Sequence, residues 1–184
     1  MRLVVGLGNP GPAYEANRHN VGFMVVEELE GELVAGFGGL YGEVSIEGRD
    51  VALLMPMTFM NRSGDSVVAA MDTLGLAPEE VLVVHDELDL SLGTLKLKRG
   101  GGTGGHNGLK SIVHACGDPG FDRLRVGIGR PVEGSIVDWV LSDFDESDGA
   151  ALDDVLEDAT RAVRAVVANG TRHAMNAVNA RDRD

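Results

Sequence analysis

The chain has 184 residues, enough to bury its own core without disulfides or metal, and is most simply read as one domain over 1–184. A single cysteine, Cys116, excludes an internal disulfide and fits a reducing compartment, so the reading is cytoplasmic. The formal net charge of −13 argues against a nucleic-acid partner unless the cations are gathered on one face, because phosphate binding depends on Lys and Arg displacing counterions.

In chain order, the first element is a compact β-branched run, RLVVG (2–6), which reads as a buried strand of an α/β sheet and is too short for a signal core or a membrane span. It leads into GLGNPG (6–11), which has the glycine spacing of a dinucleotide-binding turn. Pro10 removes a backbone donor there, and no acidic residue closes a second strand about twenty residues on, since Glu27 and Glu28 sit within a helical pattern. A tight turn presenting Asn9 is the better use of these residues. In NRHNVGF (17–23), His19 precedes Asn20, a plausible N-cap for a helix marked by Val21, Met24, Val25 and Leu29. The positive end of that helix keeps a neutral imidazole nitrogen available as a base.

Residues 42–55 read as a hairpin turning at Gly48, and TFMNRSG (58–64) leads into a helix with Val67, Val68, Met71 and Leu74 before Gly75. A second buried strand, VLVVH (81–85), runs into HDELD (85–89), where Asp86 at the strand end is the best acidic partner for His19. His85, Glu87 and Asp89 share one strand face and Asp86 the other; with no HExxH or paired-cysteine spacing, no metal site is expected.

In TLKLK (94–98) and RLRVGIG (123–129), apolar residues alternate with Lys96, Lys98, Arg123 and Arg125, so four cations share one sheet face, either as an ordinary solvated face or as a phosphate-binding one. Between them, GGGTGGHNGLKS (100–111) lacks the Lys-Ser/Thr ending of a P-loop and reads as a loop that lets backbone approach a bulky ligand, followed by an amphipathic helix. Asn20, Asn61 and Asn107 all stand near helix starts, where Asn caps regardless of function; Asn9 is not explained that way. The clearest helix, about 150–169, carries Asp153, Asp154, Glu157 and Asp158 early, Arg161 and Arg164 later, and Gly170 as a stop, so most of the acidic cluster at 143–158 reads as a solvated outer face. His114, His173 and Cys116 have no suggestive neighbours.

Apart from Asp86, the chemical side chains of these words are His and Asn, a set suited to hydrolysis by a positioned neutral base and amide donors. Taken together, GLGNPG, RHNVGF, TFMNRSG, HDELDL, GGHNGLKS and RLRVGIGRP, in that order over about residues 1–140, resemble the bacterial peptidyl-tRNA hydrolase family. The resemblance implies an α/β fold, a single-domain three-layer sandwich with a mixed sheet between helices. It implies a monomer without cofactor, metal, membrane or obligate protein partner, acting on peptidyl-tRNA by cleaving the ester between peptide and terminal ribose and so recycling tRNA from aborted translation.

Carried onto this sequence, the resemblance makes His19 the catalytic base, Asp86 its support and Asn9 a catalytic amide. Tyr14, Met60, Asn61, His106 and Asn107 become substrate contacts, and Lys98 and Arg125 a clamp for the 5′-phosphate of tRNA. An alternative is a non-catalytic RNA-binding relative of the kind recruited to intron splicing in plant organelles; the full set of expected catalytic residues speaks against it. Three departures stand out. Residues 31–48 carry no Lys or Arg where relatives are richer in lysine, the tail ARDRD (180–184) is mixed in charge, and Asn17 replaces a frequent threonine.

Overall fold

A computed structural model of the chain describes residues 1–180; all of the ARDRD tail except Ala180 lies outside the described residues. Among the described residues, seven strands form one mixed sheet and six α-helices flank it. The strands are β1 (Arg2–Gly6), β2 (Val34–Gly36), β3 (Gly39–Ile46), β4 (Arg49–Pro56), β5 (Val81–Glu87), β6 (Leu95–Arg99) and β7 (Asp122–Gly127). The helices are α1 (Val21–Glu27), α2 (Ser63–Leu74), α3 (Asn107–Cys116), α4 (Ile136–Val140), α5 (Gly149–Asn169) and α6 (Thr171–Asn179). No helix among the described residues is long and apolar enough to cross a membrane.

The sheet order is β2-β3-β4-β1-β5-β7-β6, with β4, β1, β5 and β7 parallel and the remaining strands antiparallel at the two sides. The expected hairpin is present, turning through Glu47 and Gly48, both at positive φ, as a two-residue turn between twisted strands requires. Alternation along the central strands divides the core. Val4, Leu53, Leu82, Val84, Leu124 and Val126 pack toward α1, α5 and α6, whereas Leu3, Val5, Leu54, Val81 and Val83 pack toward α2 and α3. Both faces are therefore covered, which explains why β1 and β5 read as continuous apolar runs.

From β1 the chain passes through α1 on one face to β4, then through α2 on the other face to β5, so strand order reverses around β1. A crevice outside the C-terminal ends of β1 and β5 is the usual consequence of such a reversal. Gly6 and Gly8 of GLGNPG serve this close packing: an added Cβ on Gly6 would lie 2.2 Å from Gly22 O, and one on Gly8 2.6 Å from the Phe23 ring.

The far edge is closed by α6. Asn179 accepts from Leu97 N–H at 2.7 Å and donates to Leu97 O at 2.9 Å, while Lys96 Nζ donates to Asn179 O at 3.0 Å. Helix α5 has its expected apolar stripe and ends at Gly170, but its first turn, Gly149–Leu152, carries no acid. The acids lie one turn later or before the helix, and several are engaged: Asp145 and Asp148 pair with Arg18, Asp143 accepts from Asn17, and Asp158 is buried beside Arg161. The solvated outer face is thus only part of the account.

The close approach at Gly6 is felt from the helix side at Gly22, where a Cβ would lie 2.4 Å from Val84 O and 2.5 Å from Leu7 N, both backbone atoms that cannot swing aside. Gly22→Ala should therefore cost about 1–3 kcal/mol or more of stability in urea unfolding. Unchanged stability would show that α1 stands further from β1 and β5 than this packing requires.

Candidate active site

Asp86 is the penultimate residue of β5, almost wholly buried, and its carboxylate organises the crevice. Its Oδ1 lies 2.8 Å from His19 Nδ1 and 2.8 Å from His106 Nε2. A carboxylate accepts only, so both facing nitrogens carry hydrogen. On His19 this leaves Nε2 as the basic nitrogen. On His106 the second nitrogen is used as well, because Nδ1 accepts from the backbone N–H of Gly108 at 3.1 Å and Leu109 at 3.4 Å and caps α3. The expected cap role of Asn107 thus belongs to its neighbour. Burial alone would raise the Asp86 carboxyl, but the adjacent His106 and His19 imidazoles, by charge and by hydrogen bond, hold it well below the usual carboxylate range.

Ligand atoms of His19, Asp86 and His106 lie within 4.8 Å of one another, a spacing that a metal cage also shows. Here the two nitrogens facing the carboxylate are proton donors, so a cation at that point would have to displace both hydrogen bonds. Behind them His85 donates from Nδ1 to its neighbour's carbonyl, Asp86 O, at 2.7 Å, and its buried Nε2 has no hydrogen-bond partner among the described residues. Burial first, and then the charge of His106, push the His85 imidazole down to about 3, so it stays neutral.

The turn after β1 is fastened to the turn carrying His19. Asn9 N–H donates to Asn20 Oδ1 at 2.9 Å, and Asn20 Nδ2 donates to Asn9 O at 2.9 Å. Asn20 therefore occupies the cap position of α1 but makes no side-chain cap bond; it ties two loops together instead. Met60 N–H donates to Asn9 Oδ1 at 2.8 Å, which fixes the amide orientation and leaves its NH2 group to donate elsewhere. Met60 itself is buried, with its sulfur against Gly108, where a Cβ would come within 2.6 Å of it. Asn61 is exposed on the short turn beginning at Met60, Asn107 is exposed and lines the His19 cleft, and Tyr14 meets the exposed Phe59 edge-on at 6.4 Å. Phe59 holds a positive φ of 62°.

Lys98 and Arg125 line a neighbouring cavity that shares Glu87, Thr103 and Gly104 with the His19 cleft. The expected face of four cations is corrected in two members: Lys96 is turned to α6, donating to Asn179 O at 3.0 Å, and Arg123 is fully buried, its guanidinium donating to Gly102 O at 2.6 Å and Gly101 O at 2.8 Å, holding the glycine loop down. Arg125 is half-buried and its Nε donates to Glu87 Oε2 at 2.9 Å.

Two features escaped the sequence reading. Arg18, next to His19, is buried with its guanidinium 3.9 Å over the Trp139 ring, donating to Ser142 Oγ at 2.9 Å and to Asp148 at 2.9 Å. It pins the segment of α4, whose Ile136, Val137 and Val140 form an apolar wall of the His19 cleft. The second is Glu87, which sits between the two cavities.

Residues 3–184 match the family model described as peptidyl-tRNA hydrolase. A peptidyl-tRNA hydrolase of Sorangium cellulosum is 49% identical over 98% of this chain and 85% of its own, and one of Syntrophotalea carbinolica 43% identical over 98% of both. A crystal structure of peptidyl-tRNA hydrolase from Acinetobacter baumannii superposes with a TM-score of 0.90 at 43% identity, covering 98% of this chain and 95% of that one. A purine nucleoside phosphorylase from Toxoplasma gondii, at 9% identity and a TM-score of 0.54, shares the fold alone. A match over nearly the whole length, with His19, Asp86, His106 and Asn107 of the motifs lining one crevice, means that this chain belongs to the peptidyl-tRNA hydrolase family.

Proposed function

We propose that this protein hydrolyses the ester joining a peptide to the terminal ribose of tRNA, with His19 as general base. The observation that carries the reading is the 2.8 Å contact between His19 Nδ1 and Asp86 Oδ1, which leaves Nε2 as the proton acceptor in the cleft of a chain of this family. Nε2 takes a proton from a water that attacks the ester carbonyl. The imidazolium so formed is held by the Asp86 carboxylate, and the tetrahedral oxyanion is met by amide N–H donors, for which the Asn9 NH2 group is oriented by Met60 N–H. Collapse expels the ribose oxygen, which takes back the proton from His19, giving free tRNA and a peptide carboxylate. No acyl-enzyme and no cofactor enter this sequence.

Asn61 and Asn107, both exposed, hold water and peptide, with Met60 and Tyr14 along the substrate path. Lys98 and Arg125 grip the terminal phosphate of the tRNA. Glu87 supports this by holding Arg125 through Nε alone, which leaves the two terminal NH2 groups of the planar guanidinium for phosphate oxygens. The protein acts in this reading as a single-domain cytoplasmic monomer.

Release of free tRNA from N-acetyl-aminoacyl-tRNA by the purified protein is the direct assay, and absence of release would overturn the proposal. His19→Ala should reduce the rate by at least about a hundredfold while leaving tRNA binding largely intact, since a base acts on the transition state. Retention of more than about a tenth of the wild-type rate would remove His19 from that role. In Asp86→Asn the amide oxygen can still accept from both histidines, so geometry is kept and only charge is lost; the rate should fall, by less than in His19→Ala.

Binding provides the test of the clamp. Lys98→Ala or Arg125→Ala should weaken binding of 5′-phosphorylated tRNA by about 1–3 kcal/mol, with a shallower slope of log affinity against log salt. The loss should shrink for tRNA lacking that phosphate. Equal affinity of wild type and double variant at low salt would return both cations to an ordinary sheet face.

A further inference from the structure

Family resemblance places His106 among the substrate contacts, yet neither of its ring nitrogens is left for a substrate. The N-terminal N–H groups of α3 occupy Nδ1, and Nε2 donates to Asp86 Oδ1 at 2.8 Å. His19 donates to that same oxygen, also at 2.8 Å, and the two imidazoles stand 5.0 Å apart. We propose that His106 is a positioning residue that sets the base strength of His19 by sharing its carboxylate oxygen. The inference rests on reading His19 as the base, and deepens it.

Two N–H donors on one carboxylate oxygen draw on the same electron density, so each is held less strongly than a single donor would be. As His19 takes its proton, the stabilisation that Asp86 gives the imidazolium is therefore smaller than in a simple His–Asp pair. A weaker base returns its proton more readily to the departing ribose oxygen, which the second half of the reaction requires. The helix start makes this arrangement permanent. With Nδ1 accepting from two backbone donors, His106 must present N–H to Asp86 and cannot turn to present a lone pair.

Other ionisable groups around the pair are placed to leave this sharing undisturbed. From β5, Glu87 lines the cleft but is committed to Arg125; Arg130, beyond β7, is paired with Asp89 at 2.8 Å. His85 packs edge-on against the far side of His106 at 5.0 Å and is neutral, with Arg123 behind it. Lys98 and Arg125 face the adjoining cavity, and Arg18 turns away to Asp145 and Asp148.

The test is the pH dependence of kcat/KM for N-acetyl-aminoacyl-tRNA in wild type, His106→Asn, His106→Ala and His19→Asn, alongside an NMR titration of the His19 ring in the first three. Asn at 106 keeps an acceptor to cap α3 but is too short to donate to Asp86, so it separates the two tasks of the residue. The expected result is an acid limb, and a matching NMR midpoint, displaced upward by about 0.5–1 pH unit in both His106 variants, with KM changed less than about threefold. A raised KM with both midpoints unmoved would make His106 a substrate contact and overturn the proposal. Loss of kcat or of thermal stability with an unmoved NMR midpoint would make it merely structural, with the same consequence. Should His19→Asn keep both its activity and the acid limb, the base assignment itself falls, and that result is recognisable whatever the His106 variants do.

Discussion

Much of this molecule is arranged around one buried carboxylate. Asp86 stands one residue from the end of a strand packed on both faces, where an unpaired charge would be prohibitive, and its burial is tolerable only because N–H donors converge on it. Removing a partner from a buried ionic group typically costs about 3–5 kcal/mol, so the elements that bring those donors are constrained together. His19 arrives on the turn before α1, which the Asn9–Asn20 amide pair ties to the end of β1. His106 arrives on the glycine loop, which Arg123 holds from beneath and α3 closes. Three segments distant in sequence thus meet at one atom, and the sheet's reversal around β1 opens the crevice that exposes the result.

Charge is distributed to the same end. The chain is strongly acidic overall, yet several of the acids are internal partners of cations: near the site Asp145 and Asp148 hold Arg18 and Glu87 pairs with Arg125, and at the other end of the sheet Asp122 is buried among Arg2, Arg99 and Thr171. Net charge consequently says little about what the crevice attracts. The cavity beside the crevice brings Lys98, Arg123 and Arg125 together with Glu87 and Asp89, and at distances beyond about 10 Å salt screens the rest of the surface.

What could be read from the sequence divides along a physical line. Strands β1 and β5, the hairpin at Gly48 and the stripe of α5 are written in local periodicity and turn chemistry, and they stand where the pattern put them. The pairing of His19 with Asp86 was reachable because each lies at the end of an element and their chemistry is complementary. Arg123 and Arg125 were indistinguishable by alternation. Their different fates depend on the glycine loop folding over one and not the other, a contact made 21 or more residues away. Arg18 was hidden for the same reason, since its partners lie more than 120 residues downstream. Asn20 and Asn107 show a subtler limit: both sit where a cap belongs, but a better use of Asn20 and a better-placed neighbour of Asn107 took precedence.

The amide of Asn179 has a significance unrelated to chemistry at the crevice. Strand β6 is the last in the sheet, and an uncovered row of backbone N–H and C=O groups is a template on which a strand of another molecule can add. By offering Leu97 one acceptor and one donor, Asn179 imitates the hydrogen bonding of a neighbouring strand from a side chain and satisfies the middle of the edge. Helix α6 is therefore a terminator as well as packing for the core. A shortened chain that kept every residue around Asp86 but lacked α6 would bare the Leu97 N–H and C=O, adding to the sheet a place where a strand of another molecule could pair.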